Sequence, residues 1–166
     1  KDHIVVCGLG KVGFRAMNHL LKFGEEVVAV ELNKEGRFVE QARNRGVPVI
    51  IGDARRPETL VRAGVPRAGA VVACTEDDLT NLSIALEARE LKPNIKVVMR
   101  MFDAELAKRV EKGFGIHTAL STSALAAPAF AAAAAIRADI TYSFYVDKML
   151  LNVCELRVKP DSSLVG

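Results

Sequence analysis

Six short runs of aliphatic residues recur along the first 120 positions, each separated from the next by a stretch with helical patterning. The runs are Ile4–Cys7, Val27–Glu31, Val47–Ile51, Ala70–Cys74, Val97–Met101 and, more weakly, His117–Leu120. Each is apolar nearly throughout rather than alternating, which is what strands buried on both faces of a parallel sheet require. The stretches Val12–Phe23, Lys34–Arg45, Pro57–Ala63, Asp78–Leu91 and Ala104–Lys112 read as helices. Gly24, Gly46, Gly64 and Gly113 stand where left-handed C-caps are expected. Parallel strands need crossover connections, and those crossovers are right-handed. The alternation therefore predicts an α/β protein built on a Rossmann-like, doubly wound parallel sheet of about six strands.

The remainder is different in kind. Ser121–Ala138 is dominated by alanine, and no charged residue occurs between Ala119 and Ile136. Alanine is only marginally apolar, and Ser121, Thr122, Ser123 and Pro128 dilute the stretch, so a helix packed closely on another helix or subunit is expected rather than a membrane span. Tyr142–Val146 and Met149–Lys159 read as two strands around an Asp147-Lys148 turn, a short β-hairpin. The expected organisation is a nucleotide-binding domain over 1–138 and a hairpin or linker over 139–166. The chain enters its first strand straight after Lys1-Asp2-His3, without initiator Met or signal peptide, and stops at Leu164-Val165-Gly166. Both ends read as cut, and a longer parent polypeptide is expected.

Charge and cysteine usage exclude some functions. The net charge of +3 is small, and pairs such as Arg55-Arg56 sit near acidic residues, so the sequence shows no basic stripe and nucleic acid is not an expected partner. Cys7, Cys74 and Cys154 form no CxxC or CxxH spacing and are too few for a disulfide framework; buried apolar thiols are expected.

The strongest chemical signal is Gly8-Leu9-Gly10-Lys11-Val12-Gly13, a GxGxxG motif that follows the first strand and opens the first helix. In that context Gly8 permits the tight turn, Gly10 lets backbone N–H groups approach a pyrophosphate, and Gly13 allows close helix–strand packing. The helix N-terminus adds unpaired N–H groups and the positive end of its dipole. Lys11 either places a charge over the phosphates or is a solvated loop lysine. Glu31 ends the second strand where a carboxylate is expected to accept hydrogen bonds from ribose hydroxyls and repel a 2′-phosphate, favouring NAD(H) or an adenine nucleotide over NADP. Asn33-Lys34 beside it leave slight room for that phosphate. Asp53, in Gly52-Asp53-Ala54, either reaches an adenine or caps the helix near Pro57.

Catalytic machinery is missing from this pattern. His3 and His19 read as structural, which leaves His117 as the one conceivable proton-transfer group. No Ser–His–Asp, Tyr-x-x-x-Lys or metal-ligand constellation stands out. Glu76-Asp77-Asp78 either binds a divalent cation or, through Asp77 or Asp78, caps the following helix.

Taken in order, the glycine cradle, Glu31, Gly52-Asp53-Ala54, Thr75-x-x-Asp78-x-x-Asn81-Leu82 and Val97-Val98-Met99-Arg100 resemble the RCK domain, also called KTN or TrkA-N, the regulator of potassium conductance. The likeness runs from about Asp2 to Ala138. The tail from Leu156-Arg157-Val158 to Ser162-Ser163-Leu164-Val165-Gly166 resembles the opening of a TrkA-C domain, here truncated. The resemblance implies a cytoplasmic ligand-sensing module tethered to the inner face of the membrane through a potassium pore, in the same or a separate chain. It implies homodimers that assemble into a ring, with the alanine-rich helix as the crossover helix. Implied ligands are NAD(H) first, ATP, ADP or AMP as alternatives, and calcium in some members. On that pattern Gly8, Gly10 and Gly13 meet the phosphates, Glu31 the ribose and Asp53 the adenine side, while Thr75 and Arg100 line the rim; Lys11, Val12 and Ala54 are expected among the cofactor-binding residues. Glu31 replaces the family's commoner Asp, which leaves NAD against ATP open. The rival expectations are the cofactor-binding half of an NAD-dependent dehydrogenase and a soluble adenylate-binding module without a channel.

Overall fold

In the computed structural model, which describes residues 2–114, 116–135, 140–146 and 149–154, six strands pair in one parallel sheet. They are β1 (Ile4–Cys7), β2 (Val27–Glu31), β3 (Val49–Ile51), β4 (Ala70–Ala73), β5 (Lys96–Met101) and β6 (Thr118–Ser121). Their spatial order is β3-β2-β1-β4-β5-β6, and every pairing is parallel. This is the Rossmann-like doubly wound sheet the alternation predicts. The connections diverge between β1 and β4, the topological switch point at which such sheets open a crevice at their carboxyl ends.

The helices between the strands are α1 (Lys11–Lys22), α2 (Val39–Arg43), α3 (Pro57–Arg62), α4 (Asp78–Leu91) and α5 (Ala104–Phe114). Two apolar clusters show how they cover the sheet. One face gathers Val6, Ala29, Phe14, Met17, Val39 and Ala42 from β1, β2, α1 and α2. The opposite face gathers Val5, Val71, Leu60, Ile84, Val97 and Val110 from β1, β4, α3, α4, β5 and α5. Adjacent residues Val5 and Val6 therefore feed different cores, as side-chain alternation demands of a strand buried on both sides. Complete burial of side chains such as Met17, Leu60, Ile84 and Met99 is worth roughly 1.5–3 kcal/mol each.

Two expectations need correction. The helix expected over 34–45 shortens to α2, because 33–38 is spent on turns. Asn33 Oδ1 accepts from the Glu35 N–H at 2.9 Å and its carbonyl from the Gly36 N–H at 2.9 Å, a side-chain-directed turn that competes with helix. Gly24, Gly46 and Gly64 take φ of 74, 77 and 81°, as caps should, whereas Gly113 falls inside the last turn of α5.

The chain divides into two compact units, Lys1–Ser121 and Thr122–Gly166. In the second, α6 (Thr122–Ala135) contains Pro128 and lies against β7 (Ile140–Val146), which pairs antiparallel with β8 (Met149–Cys154). The alanine-rich helix and the hairpin are thus both present. The Asp147-Lys148 turn and the extension of the second strand to Lys159 lie outside the described residues. Among the described residues no helix is long and apolar enough to cross a membrane.

Candidate functional site: a glycine-loop cleft at the switch point

β1 ends at Cys7 and the chain turns sharply on Gly8, whose φ of 91° favours glycine. Gly8 also lies tight on the next strand: a Cβ there would come within 3.0 Å of Thr75 N and 3.1 Å of the Cys74 carbonyl. A Cβ on Gly13, in the first turn of α1, would collide with the Gly8 carbonyl oxygen. Gly10 is different. It is the N-cap of α1 with extended backbone and no capping side chain, and a Cβ would meet nothing within 4 Å. Two glycines are thus required by the protein's own packing, and the third leaves open space in front of the uncapped α1 N-terminus.

The carboxyl ends of β1 to β4 enclose a cleft of about 580 Å³. Of the residues expected at the site, Gly8, Gly10, Lys11, Glu31, Asp53, Ala54 and Thr75 line it, and Val12, Gly13 and Arg100 do not. Glu31 stands at the end of β2 with both carboxylate oxygens engaged: Oε2 accepts from the Leu9 N–H at 2.7 Å and Oε1 from the Asn33 N–H at 3.1 Å. It thereby fixes the glycine loop from below. Asp53 forms a bidentate ion pair with Arg55 (2.8 Å at its shortest) and accepts the Arg55 N–H. Those bonds hold its carboxyl below the usual carboxylate range. Asp53 does not cap α3, whose N-cap is Arg56 without a side-chain bond.

Thr75 is held by Asn81, a fully buried amide one and a half turns away in sequence. Asn81 Oδ1 accepts from the Thr75 N–H (2.8 Å) and hydroxyl (2.7 Å), and its Nδ2 donates to the carbonyls of Thr75 (3.2 Å) and Arg100 (3.0 Å). One side chain therefore satisfies groups at the ends of both β4 and β5. Arg100 directs its guanidinium to the Thr75 carbonyl at 3.3 Å and over the Phe102 ring at 4.6 Å, behind the cleft wall rather than in it. Asp77 caps α4 by accepting from the Thr80 N–H at 2.6 Å, and Asp78 accepts from the Phe102 N–H at 2.8 Å. Asp77 and Asp78 are thereby occupied as cap and brace. No group of three or more His, Cys, Asp or Glu side chains among the described residues could hold a metal. His117 lies outside the cleft, its Nδ1 facing the Val97 N–H at 3.4 Å, and His3 Nε2 lies 2.9 Å from the Ala63 carbonyl. The buried Cys7 thiol is pushed up to about 12 by desolvation, with a further contribution from Cys74, whose own thiol rises to about 11 for the same first reason. Neither thiol is a nucleophile at neutral pH.

Sequence reasoning missed the cleft residues Arg37, Phe38 and Arg55. No motif spacing marks them: Arg37 and Phe38 end the local turn begun by Asn33, and Arg55 lies in the turn held by Asp53.

A glycine-turned cradle, a strand-end carboxylate and a switch-point cleft on a β3-β2-β1-β4-β5-β6 sheet define the Rossmann class of domain. Within it, the sequence profile of the TrkA-N domain matches residues 4–122, and the chain belongs to that family, the TrkA-N or RCK domain of potassium channels and transporters. An uncharacterized protein of Methanothermus fervidus is 37% identical over 112 residues, 68% of this chain and 18% of the relative. Probable potassium channel protein 2 of Methanocaldococcus jannaschii is 27% identical over 112 residues, 67% of this chain and 33% of the relative. The chain thus spans a third or less of the length of these curated relatives. Among solved structures, the TrkA-N domain of the inner membrane protein ybaL from Escherichia coli superposes with a TM-score of 0.70 at 21% identity, covering 78% of this chain and 94% of that one. The Kef C-terminal domain of Shewanella denitrificans in its AMP-bound form gives 0.69 at 20% identity, over 80% of this chain and 79% of that one. The GsuK channel bound to NAD gives 0.68 at 16% identity, over 84% of this chain and 24% of that one.

Proposed function

We propose that this chain is a nucleotide-sensing regulatory domain that acts on a potassium channel or transporter from the cytoplasmic side, through a ligand-dependent change of conformation. The observation that carries the proposal is the open space at Gly10 in front of the uncapped N-terminus of α1. Backbone N–H groups and the helix dipole converge there, and a phosphate bound at that point needs no side chain to hold it. Gly8, Gly10, Lys11, Val12 and Gly13 would meet the phosphates through backbone groups and the Lys11 ammonium. Glu31 has lone pairs left for a ribose hydroxyl after serving Leu9 and Asn33. Asp53 and Ala54 would border the base, and Thr75 the rim, with Arg100 supporting it from behind. NAD(H) is the expected ligand, with ATP, ADP or AMP as alternatives. The AMP-bound and NAD-bound forms of fold relatives support that choice.

Gating requires a ligand that binds one arrangement of the domain more tightly than another. A ring of such domains, assembled from dimers beneath a pore, would convert that difference into movement. On this proposal residues 1–138 form the sensing domain, and 139–166 lead into a further domain of TrkA-C type. His117, the one histidine considered for proton transfer, lies outside the cleft, and no turnover is expected on this proposal.

Calorimetric titration of the purified chain with NAD⁺, NADH, NADP⁺, ATP, ADP and AMP, with and without calcium, tests the proposal. Saturable binding of NAD(H) or an adenine nucleotide, with the ligand recovered unchanged, is the expected result. Failure of all six to bind, or steady consumption of NADH with an oxoacid or aldehyde, would remove it.

A further inference from the structure

Beside the cleft, on the outer side of α1, lies a second recess of about 280 Å³ lined by Lys11, Phe14, Arg15, Asn18, Arg37 and Phe38. Lys11, Arg37 and Phe38 border both spaces, so the two are contiguous. Lys11, Arg15 and Asn18 recur at i, i+4 and i+7 and therefore share one face of α1. Arg37 arrives from the turn after β2 and closes the recess from the other side. Its floor is aromatic: Phe14 and Phe38 stack at 4.4 Å between ring centroids and 12° between planes, with the Arg37 guanidinium 5.2 Å from the Phe38 ring.

The electrostatics of this recess are one-sided. None of Lys11, Arg15 and Arg37 forms an ion pair with a carboxylate among the described residues, and the first turn of α1 carries no acid. The neighbouring carboxylate, Glu31, directs both oxygens at the backbone of Leu9 and Asn33. Three exposed cations and an amide thus line one concavity with an aromatic floor, and their like charges attract an anion. Three cations held together without an anion repel one another, and a dianionic group relieves that repulsion.

We propose that this recess is a second anion subsite, specific for a phosphate group and separate from the cradle at Gly10. Arg15 and Arg37 supply the planar donors suited to phosphate oxygens, Lys11 a point charge at the junction with the cleft, and Asn18 a neutral donor. The phosphate is either borne by the nucleotide on its ribose or supplied as a free anion. The inference adds to the nucleotide proposal and is tested without relying on it.

Inorganic pyrophosphate and AMP are titrated separately, at low ionic strength, into the unaltered chain, Arg15→Gln and Lys22→Gln. Arg15 lines the recess and not the cleft, while Lys22 lies on the same helix outside both, so the two variants lose the same charge. Arg15→Gln is expected to weaken pyrophosphate by about tenfold, as loss of one charge-assisted donor should, and Lys22→Gln by less than about twofold. AMP should bind all three alike. Equal pyrophosphate affinities for Arg15→Gln and the unaltered chain would overturn the subsite. So would equal losses in the two variants, which mark a net-charge effect, or no binding of pyrophosphate to the unaltered chain. Failure of AMP to bind any of them strikes at the nucleotide proposal alone. A parallel comparison of NADP⁺ with NAD⁺ identifies the source: a loss on Arg15→Gln confined to NADP⁺ assigns the subsite to a ribose phosphate, and equal response of the two assigns it to a free anion.

Discussion

Three glycines within six residues have three different physical reasons. Gly13 is demanded by the protein itself, because its missing Cβ makes room for the Gly8 carbonyl. Gly10 meets no protein atom, so a side chain there would protrude into the space proposed for phosphate. Gly10→Val should therefore abolish nucleotide binding and leave thermal unfolding nearly unchanged. Gly13→Ala should destabilise the fold by about 1–3 kcal/mol through overpacking. Melting curves and titrations on the same two samples separate these effects, and a Gly10→Val chain that still binds with native affinity would refute the cradle. Glu31 has two tasks at this scale as well. Glu31→Gln keeps an oxygen for the Leu9 N–H, gives up the acceptor facing the Asn33 N–H and removes the charge, so the ratio of NADP⁺ to NAD⁺ affinity should rise. An unmoved ratio would deny Glu31 its role at the ribose.

Among the elements, the junction of β4, α4 and β5 carries the most specific interactions. A parallel sheet ends with strand carbonyls and N–H groups that have no further ladder partner, and a buried end must satisfy them another way. Asn81 does this for Thr75 and Arg100 together, and Asp78 does it for Phe102. Asn81→Ala leaves several buried backbone groups unpaired and should cost about 3 kcal/mol or more, measured by denaturant unfolding. Asn81→Asp keeps the acceptor toward Thr75 and loses both Nδ2 donors, so it should also be destabilised. Stability within experimental error of the parent for Asn81→Ala would show that the amide is not the clamp that its bonds suggest. The sequence motif Thr75-x-x-Asp78-x-x-Asn81 was visible as a family mark, but nothing in the spacing told that Asp78 and Asn81 brace strand ends.

At the scale of the whole molecule, stability should fall at both ends of the pH range. Asp77 and Asp103 accept backbone N–H groups at the starts of α4 and α5, which lowers both carboxyls below the usual range. A lowered folded value means that their contribution is present above an unfolded Asp value of about 4 and is lost as the pH drops through the folded one. Cys7 and Cys74 act in the opposite sense. Their thiols stay protonated in the fold up to about 12 and about 11, so the unfolded chain gains by ionising from about pH 8.5 upward and stability declines there. Melting temperatures across pH 2–11 should trace both limbs. Asp77→Asn with Asp103→Asn should flatten the acid limb, and Cys7→Ala the alkaline one. A wild-type profile level across both limbs would contradict these assignments.

What the sequence by itself determined was the sheet and the place of the cleft. Continuous apolar runs can be buried only in a parallel sheet covered on both faces, right-handed crossovers leave few orders for six such strands, and GxGxxG after the first strand puts the cradle at the switch point. β1 and β2 fall at their expected bounds, and Asp78–Leu91 is a helix as expected, because local propensity and long-range packing agree there. The sequence already offered Asp77 as a helix cap, but only the tertiary structure decided what Glu31, Arg100 and Arg37 do. Glu31 bonds to a loop 22 residues away, Arg100 turns behind the wall to Thr75 and Phe102, and Arg37 lines one recess with Arg15 beside a stacked Phe14–Phe38 pair. Apolar pattern is periodic and therefore legible along the chain. The direction of a charged side chain depends on which donors and acceptors the fold brings within about 3 Å, and for Glu31 and Arg100 these include residues far apart in sequence.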